Sequence, residues 1–223
     1  MQCEIDSIAE LLESPKIERI YGLEISSGKY ENVSVCVVKS GIGKVNAAMC
    51  AQVLIDKFDC DAIINTGIAG AISAEISVGD IVISTEAVEH DFNATGIGLS
   101  QGEIPQQETS IYKADENLIR IIKNSDITTG QKNKIVYGRV ASGDIFVSDS
   151  KTKKFISDTF GAKCCEMEGA AIAHICNKCG VPFLIIRAIS DSASDDAGEL
   201  YDSFEEFASA TSKTFTLAIL SNL

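Results

Sequence analysis

The chain has no apolar run approaching the length of a membrane span, and its opening residues, MQCEIDSIAE, are acidic, unlike a signal peptide. Both absences point to a soluble protein of the cytoplasm. Positive charge is scarce as well. Nineteen Lys and Arg stand against 32 Asp and Glu, a formal net charge of −13, which argues against nucleic acid or an anionic membrane as partner. There are only four arginines, Arg19, Arg120, Arg139 and Arg187. The eight cysteines are scattered; without an export signal they read as reduced thiols packed as small core residues. Cys176 and Cys179 have C-x-x-C spacing, but no second pair lies at zinc-ribbon distance, so no metal site is expected. No linker, repeat or low-complexity stretch divides the 223 residues, and a single domain over 1–223 follows.

What is present is alternation. Helical periodicity runs over Ile5 to Leu12, Val45 to Phe58, Glu116 to Lys123, Thr152 to Phe160, Ala170 to Lys178 and Phe204 to Leu220. Short β-branched runs separate these at 33–38, 62–65, 81–84, 134–141 and 183–190, with a further short strand at 163–167. Strands such as 184-LII-186 are apolar on both faces, as a sheet covered on two sides requires. The prediction is an α/β domain with a mixed, mostly parallel central sheet. The polar, Gly-containing stretch from Asp91 to Tyr112 is long for a loop in a compact domain, which suggests function.

Ligands of such sheets collect at the carboxyl ends of strands. Strand 62–65 runs into 66-TGIAGAI-72, whose glycines would let backbone approach a ligand. Strand 33–38 runs into 39-KSGIGKV-45, which fits no phosphate-binding loop, because Val38 and Val45 stand where a Gly and a Ser or Thr are needed. Strand 183–189 brings Ser190 and Asp191 to its end, and strand 163–167 ends in Met167 and Glu168 before Gly169 opens a helix. Glu168 could also cap that helix. Two acids at one rim suit general acid–base chemistry, and Phe146, just after 142-SGD-144, offers a face for a planar base.

Together these stretches resemble the bacterial 5′-methylthioadenosine/S-adenosylhomocysteine nucleosidases of the nucleoside phosphorylase-like superfamily. The motifs that carry the resemblance are KSGIGKVNAA (39–48), INTGIAGAI (64–72), VGDIVIS (78–84), SGDIFV (142–147), EMEGAAIAH (166–174) and VPFLIIRAISD (181–191), in the family's order over essentially the whole chain. The resemblance implies a three-layer αβα sandwich and no cofactor. It makes Asp191 the acid serving the departing adenine and has Ser190 hold it. Phe146 stacks on the purine, backbone groups of Ile145 and Val147 read its edge, Glu168 grips the ribose hydroxyls, Met167 packs on the sugar and Arg187 supports the site. Ile68 stands where some members carry serine. Glu166 is given no catalytic role. Ile97 and Pro105 would line the 5′-alkylthio site of a neighbouring subunit, which implies a homodimer.

In the family the water-activating acid follows an N-terminal strand, and here Met1, Gln2, Cys3, Glu4 match only the tail of that pattern, so Glu4 takes the role and the first strand is missing. Either roughly eight more residues precede Met1 in the natural protein, the favoured explanation because a gap would strand backbone donors and acceptors, or the chain is truncated. The expected reaction is hydrolysis of the N-glycosidic bond of 5′-methylthioadenosine and S-adenosylhomocysteine, with 5′-deoxyadenosine a further candidate. A phosphorylase and a non-catalytic nucleoside-binding protein of the same fold are the alternatives.

Overall fold

The computed structural model describes residues 2–127, 133–193 and 205–223. Its elements are α1 (Gln2–Ala9), β1 (Glu13–Ile20), β2 (Leu23–Tyr30), β3 (Val33–Val38), α2 (Lys44–Phe58), β4 (Ile63–Ala71), β5 (Ile81–Glu89), β6 (Ile111–Lys113), α3 (Glu116–Asn124), β7 (Ile135–Ser142), α4 (Ser150–Phe160), β8 (Cys164–Glu166), α5 (Gly169–Cys179), β9 (Phe183–Asp191) and α6 (Glu205–Leu220). Local chemistry sets many boundaries. The Asp115 carboxylate accepts from the Asn117 and Leu118 amides and starts α3, and Asp149 accepts from Thr152 and starts α4. Gly161 and Gly180, both left-handed, end α4 and α5.

The main sheet has strand order β6-β5-β7-β8-β4-β9, and β9 pairs back onto β5. Its long ladders, β4 with β9 and β5 with β7, are parallel, while the shorter β4–β8, β5–β6 and β5–β9 pairings are antiparallel. Every residue of β9 is buried, which its run of Ile and Leu requires. Helix α5 packs on β5 and β7 with α2 against it, and α6 packs on β9 and β4, flanked by α1 and α3. The α/β architecture of helices around a mixed central sheet is therefore the observed one.

Several elements differ from the periodicity, among them the helix expected from Ile5 to Leu12, which runs over Gln2–Ala9. The strand expected at 62–65 continues through the glycines to Ala71, because its register with β9 is carried by backbone. The strand expected at 81–84 reaches Glu89. Residues 13–30, which had no assigned pattern, form the β1–β2 hairpin, turning at Tyr21 and Gly22 with φ of 50° and 82°.

Strand β3 hydrogen-bonds to β2 and belongs to this separate antiparallel sheet; among the described residues it has no strand on its other edge. That edge and β4 face one another across a cavity of about 970 Å³, lined by Val33 to Val38, Ile63 to Gly70 and, from α1, Glu4, Ile5 and Ile8. On this side β4 pairs with β8 only at Gly70 and Ala71, so the β3 edge and the rest of β4 leave backbone groups that a strand would satisfy. An apolar extension of about six residues, a usual strand length, fused ahead of Met1 is therefore expected to enter this cleft. Differential scanning calorimetry should then show Tm raised by a few degrees, about 2–4 °C for each kcal/mol gained. An unchanged Tm would mean that the extension stays outside.

Candidate active site

Strands β4, β7, β8 and β9 end at one rim of this cavity. Asp191, the last residue of β9, is 4% exposed. Its Oδ2 accepts from Ser190 Oγ at 2.7 Å and its Oδ1 from the Ala193 amide at 2.7 Å. Gly70 lies beside it in register, and a Cβ there would come within 2.9 Å of Asp191 Oδ1. The glycines of TGIAGAI thus have a use that the sequence did not reveal: they make room for side chains of the neighbouring strand. Gly67 does the same for Arg187, since a Cβ on Gly67 would overlap the guanidinium.

Arg187 is a buried cation in the middle of β9. Its Nη2 donates to Glu166 Oε2 and to Asn65 Oδ1, and lies 3.7 Å from Glu168 Oε2. Glu166, which the sequence reading left without a role, is the hub of the rim. It is buried, lines the cavity, and accepts from Ser142 Oγ, its register partner on β7. It also accepts from the Gly169 amide at 2.8 Å and the Glu168 amide at 3.1 Å. Glu166 therefore satisfies the amino end of α5, and Glu168, for which capping was the alternative reading, makes no side-chain cap. The available signal was an acid three residues before the glycine that opens a buried helix.

Glu168 is left to face the cavity. Its Oε1 accepts from the Gly43 amide at 3.0 Å, so the Gly-rich turn after β3 orients a carboxylate. Burial raises the Glu168 pKa, with the Glu166 charge adding to it, and the Arg187 charge and the Gly43 N–H oppose without cancelling it.

Glu4, Ile68, Ile145, Phe146, Val147, Met167, Glu168, Arg187, Ser190 and Asp191 all line this one cavity. Glu4 is buried within α1, although no strand leads into that helix among the described residues. Phe146, the aromatic side chain among these residues, is 47% exposed. Ile97 and Pro105 do not line the cavity of their own chain; Ile97 is 75% exposed in a 3₁₀ turn, Thr95–Ile97. Among the described residues no cluster of His, Cys, Asp and Glu could hold a metal ion.

A rim of carboxylates, a buried arginine and an aromatic face over an apolar cavity is the arrangement of a nucleoside-processing α/β enzyme. The family model of the phosphorylase superfamily matches residues 1–222, and the chain belongs to that superfamily. Within it, the chain belongs to the 5′-methylthioadenosine/S-adenosylhomocysteine nucleosidases. It is 38% identical over 224 residues to that nucleosidase of Geobacillus sp. (strain WCH70), covering 100% of this chain and 96% of the relative. The Neisseria meningitidis nucleosidase in complex with methylthio-immucillin-A superposes with a TM-score of 0.94 at 36% identity, over 100% of this chain and 96% of the other. That of Colwellia psychrerythraea in complex with adenine gives 0.94 at 32% identity, over 100% and 92%.

Two outcomes follow from this geometry. Gly67→Ala should displace the Arg187 guanidinium from Glu166 and Glu168 and lower kcat/KM for nucleoside cleavage at least about tenfold, roughly 1.4 kcal/mol of transition-state stabilisation. Steady-state kinetics beside a melting curve separate this from loss of fold. If cleavage requires the ionised Glu168 carboxylate, activity should fall as pH drops through its raised pKa. The acid limb of kcat/KM should lie above the ordinary glutamate value and disappear in Glu168→Gln, as a pH–rate profile would show.

Proposed function

We propose that this protein hydrolyses the N-glycosidic bond of 5′-methylthioadenosine and S-adenosylhomocysteine, releasing adenine and the 5-thioribose derivative. The observation that carries the reading is the gathering of Glu4, Glu168 and Asp191 with Phe146 on one cavity, in a chain of the nucleosidase family. Phe146 stacks on the purine, with the backbone of Ile145 and Val147 at its edge. Glu168 accepts from the ribose hydroxyls, Met167 packs on the sugar and Ile68 closes the wall. As the bond from the anomeric carbon to the purine nitrogen breaks, its electron pair goes to the purine, and Asp191 gives its proton to N7. The anionic Glu4 and Glu168 favour the positive charge developing on the sugar. Water then attacks the anomeric carbon, and its proton passes to Glu4. The carboxylate of Asp191 is oriented for this by Ser190 Oγ.

Hydrolysis is favoured over phosphorolysis because phosphate sites use free arginine forks. Arg187 already serves Glu166 and Asn65, and Arg139 is bound to Glu86 on the neighbouring strand. The reading includes a homodimer working in the cytoplasm, in which the 97–105 loop brings Ile97 and Pro105 to the neighbour's 5′-alkylthio site. Exposed apolar Ile42, Val45 and Ile97 support such a contact. No described helix is long and apolar enough to cross a membrane.

The test is adenine release from 5′-methylthioadenosine with and without phosphate, with the sugar identified. Free methylthioribose and no phosphate requirement are expected; a phosphorylated sugar would make the protein a phosphorylase, and binding without cleavage a nucleoside-binding protein. Asp191→Asn should retain substrate binding and lose turnover by at least about a hundredfold. Turnover within tenfold of the parent would remove Asp191 from the acid role.

A further inference from the structure

The turn that presents the Gly43 amide to Glu168 is tied locally by Asn46 Nδ2, which donates to the Ile42 carbonyl at 2.7 Å, and by Ser40 Oγ, which donates to the Gly41 carbonyl at 3.1 Å. Gly41 and Gly43 have φ of 85° and 90°, and glycine is the residue least able to restrict its own backbone. The position of the turn relative to the loop that carries Asp144 is set by the first residue of α2. The Lys44 amide donates to Asp144 Oδ1 at 2.7 Å, and Lys44 Nζ donates to Asp91 Oδ1 at 2.7 Å and Glu89 Oε2 at 2.8 Å. Asp91 closes the ring: its Oδ2 accepts from the Asp144 amide at 2.8 Å. Asp144 directly precedes the purine-facing segment Ile145–Val147. One carboxylate thus ties the loop behind the ribose grip to the loop behind the base.

We propose that Asp91 is a positioning residue of the nucleosidase site: through Lys44 and Asp144 it fixes the Gly43 amide against Glu168 and sets Glu168 and the 145–147 segment in register with each other. The inference rests on the nucleosidase reading for the identity of the reaction, but the tie itself does not. The environment suits a tie that holds. The Lys44 and Asp91 side chains are 16% and 15% exposed, so their ion pair is weakly screened, and charge-assisted hydrogen bonds of this length are the stronger kind. Lys44 Nζ has a second, independent anchor in Glu89, whose Oε1 lies 3.1 Å from His174 Nδ1, and the His174 ring stacks on Tyr112. Loss of Asp91 should therefore loosen the turn without freeing Lys44. That predicts a moderate kinetic effect and an intact fold.

The experiment compares parent, Asp91→Ala, Asp91→Asn and Lys44→Met. In Asp91→Ala, KM for 5′-methylthioadenosine should rise about tenfold, equivalent to 1.4 kcal/mol, while kcat falls no more than about threefold. Asp91→Asn keeps one acceptor oxygen and should recover part of the loss. A purely structural role would not move the second readout, the titration of the Glu168 carboxyl in the unliganded protein, followed by carbon-13 NMR. Around Glu168 stand Arg187 on β9, Glu166 on β8, the Gly43 amide and, near Arg187, Glu4 on α1. Of these, Asp91→Ala displaces only the Gly43 amide, which favours the ionised form, so the midpoint should move to higher pH.

If Asp91→Ala does not fold, Lys44→Met cuts the same tie from its other end and should give the same two changes. A folded variant with KM and the Glu168 midpoint both unchanged would overturn the proposal. If the parent releases no adenine, the nucleosidase reading fails, and the NMR titration still decides whether the tie exists.

Discussion

Everything at the rim depends on one buried cation. Arg187 sits inside the sheet, out of water, and such a charge is tolerated only when anions and hydrogen bonds surround it. Glu166 and Asn65 supply direct bonds, and Glu168 supplies a carboxylate just beyond bonding distance. Removing one partner of a buried pair typically costs on the order of 3–5 kcal/mol, so neither acid is free to drift. The arginine holds two carboxylates side by side that would otherwise repel each other. It lets Glu166 attend to the amino end of α5, and that division of labour leaves Glu168 facing the cavity.

Lys44 repeats the arrangement about the other half of the rim, held between Glu89 and Asp91. Burial alone would lower the Lys44 pKa, but its bonds to the two acids raise it, so the ammonium is kept charged. In a chain with net charge −13, Arg187 and Lys44 are each shared by two acids. The register explains how the two halves meet. Glu89, Ser142 and Glu166 face one another across β5, β7 and β8, forming a polar row from the lysine group to the arginine group.

Much of the architecture was legible because burial leaves a strong mark on sequence. The apolar run of β9 and the apolar face of α3 beginning at Asp115 left little room for another reading. The β1–β2 hairpin was not legible, since β1 is almost wholly exposed and its turn is made by Tyr21 and Gly22, not by a familiar Asn-Gly pair. Asp191, Glu168 and Phe146 could be picked out as candidates because they end a strand, link a strand to a helix or follow a Gly-containing turn, where such folds hold their ligands. Glu166 left only the local mark of an acid three residues before Gly169, since its place is decided by Ser142 and Arg187, partners distant in sequence. Ile97 and Pro105 came from family resemblance alone, and no pattern in the loop pointed to them.

Gly67 carries a lesson beyond this site. What stands at that position is the mould of a guanidinium: the volume of a missing methyl is filled by the head of Arg187 on the adjoining strand. Positions 67 and 187 therefore form a single unit of variation, although 120 residues of chain separate them. A library that randomises either one alone samples mostly broken rims, whereas varying the two together explores how large a cation the sheet can enclose.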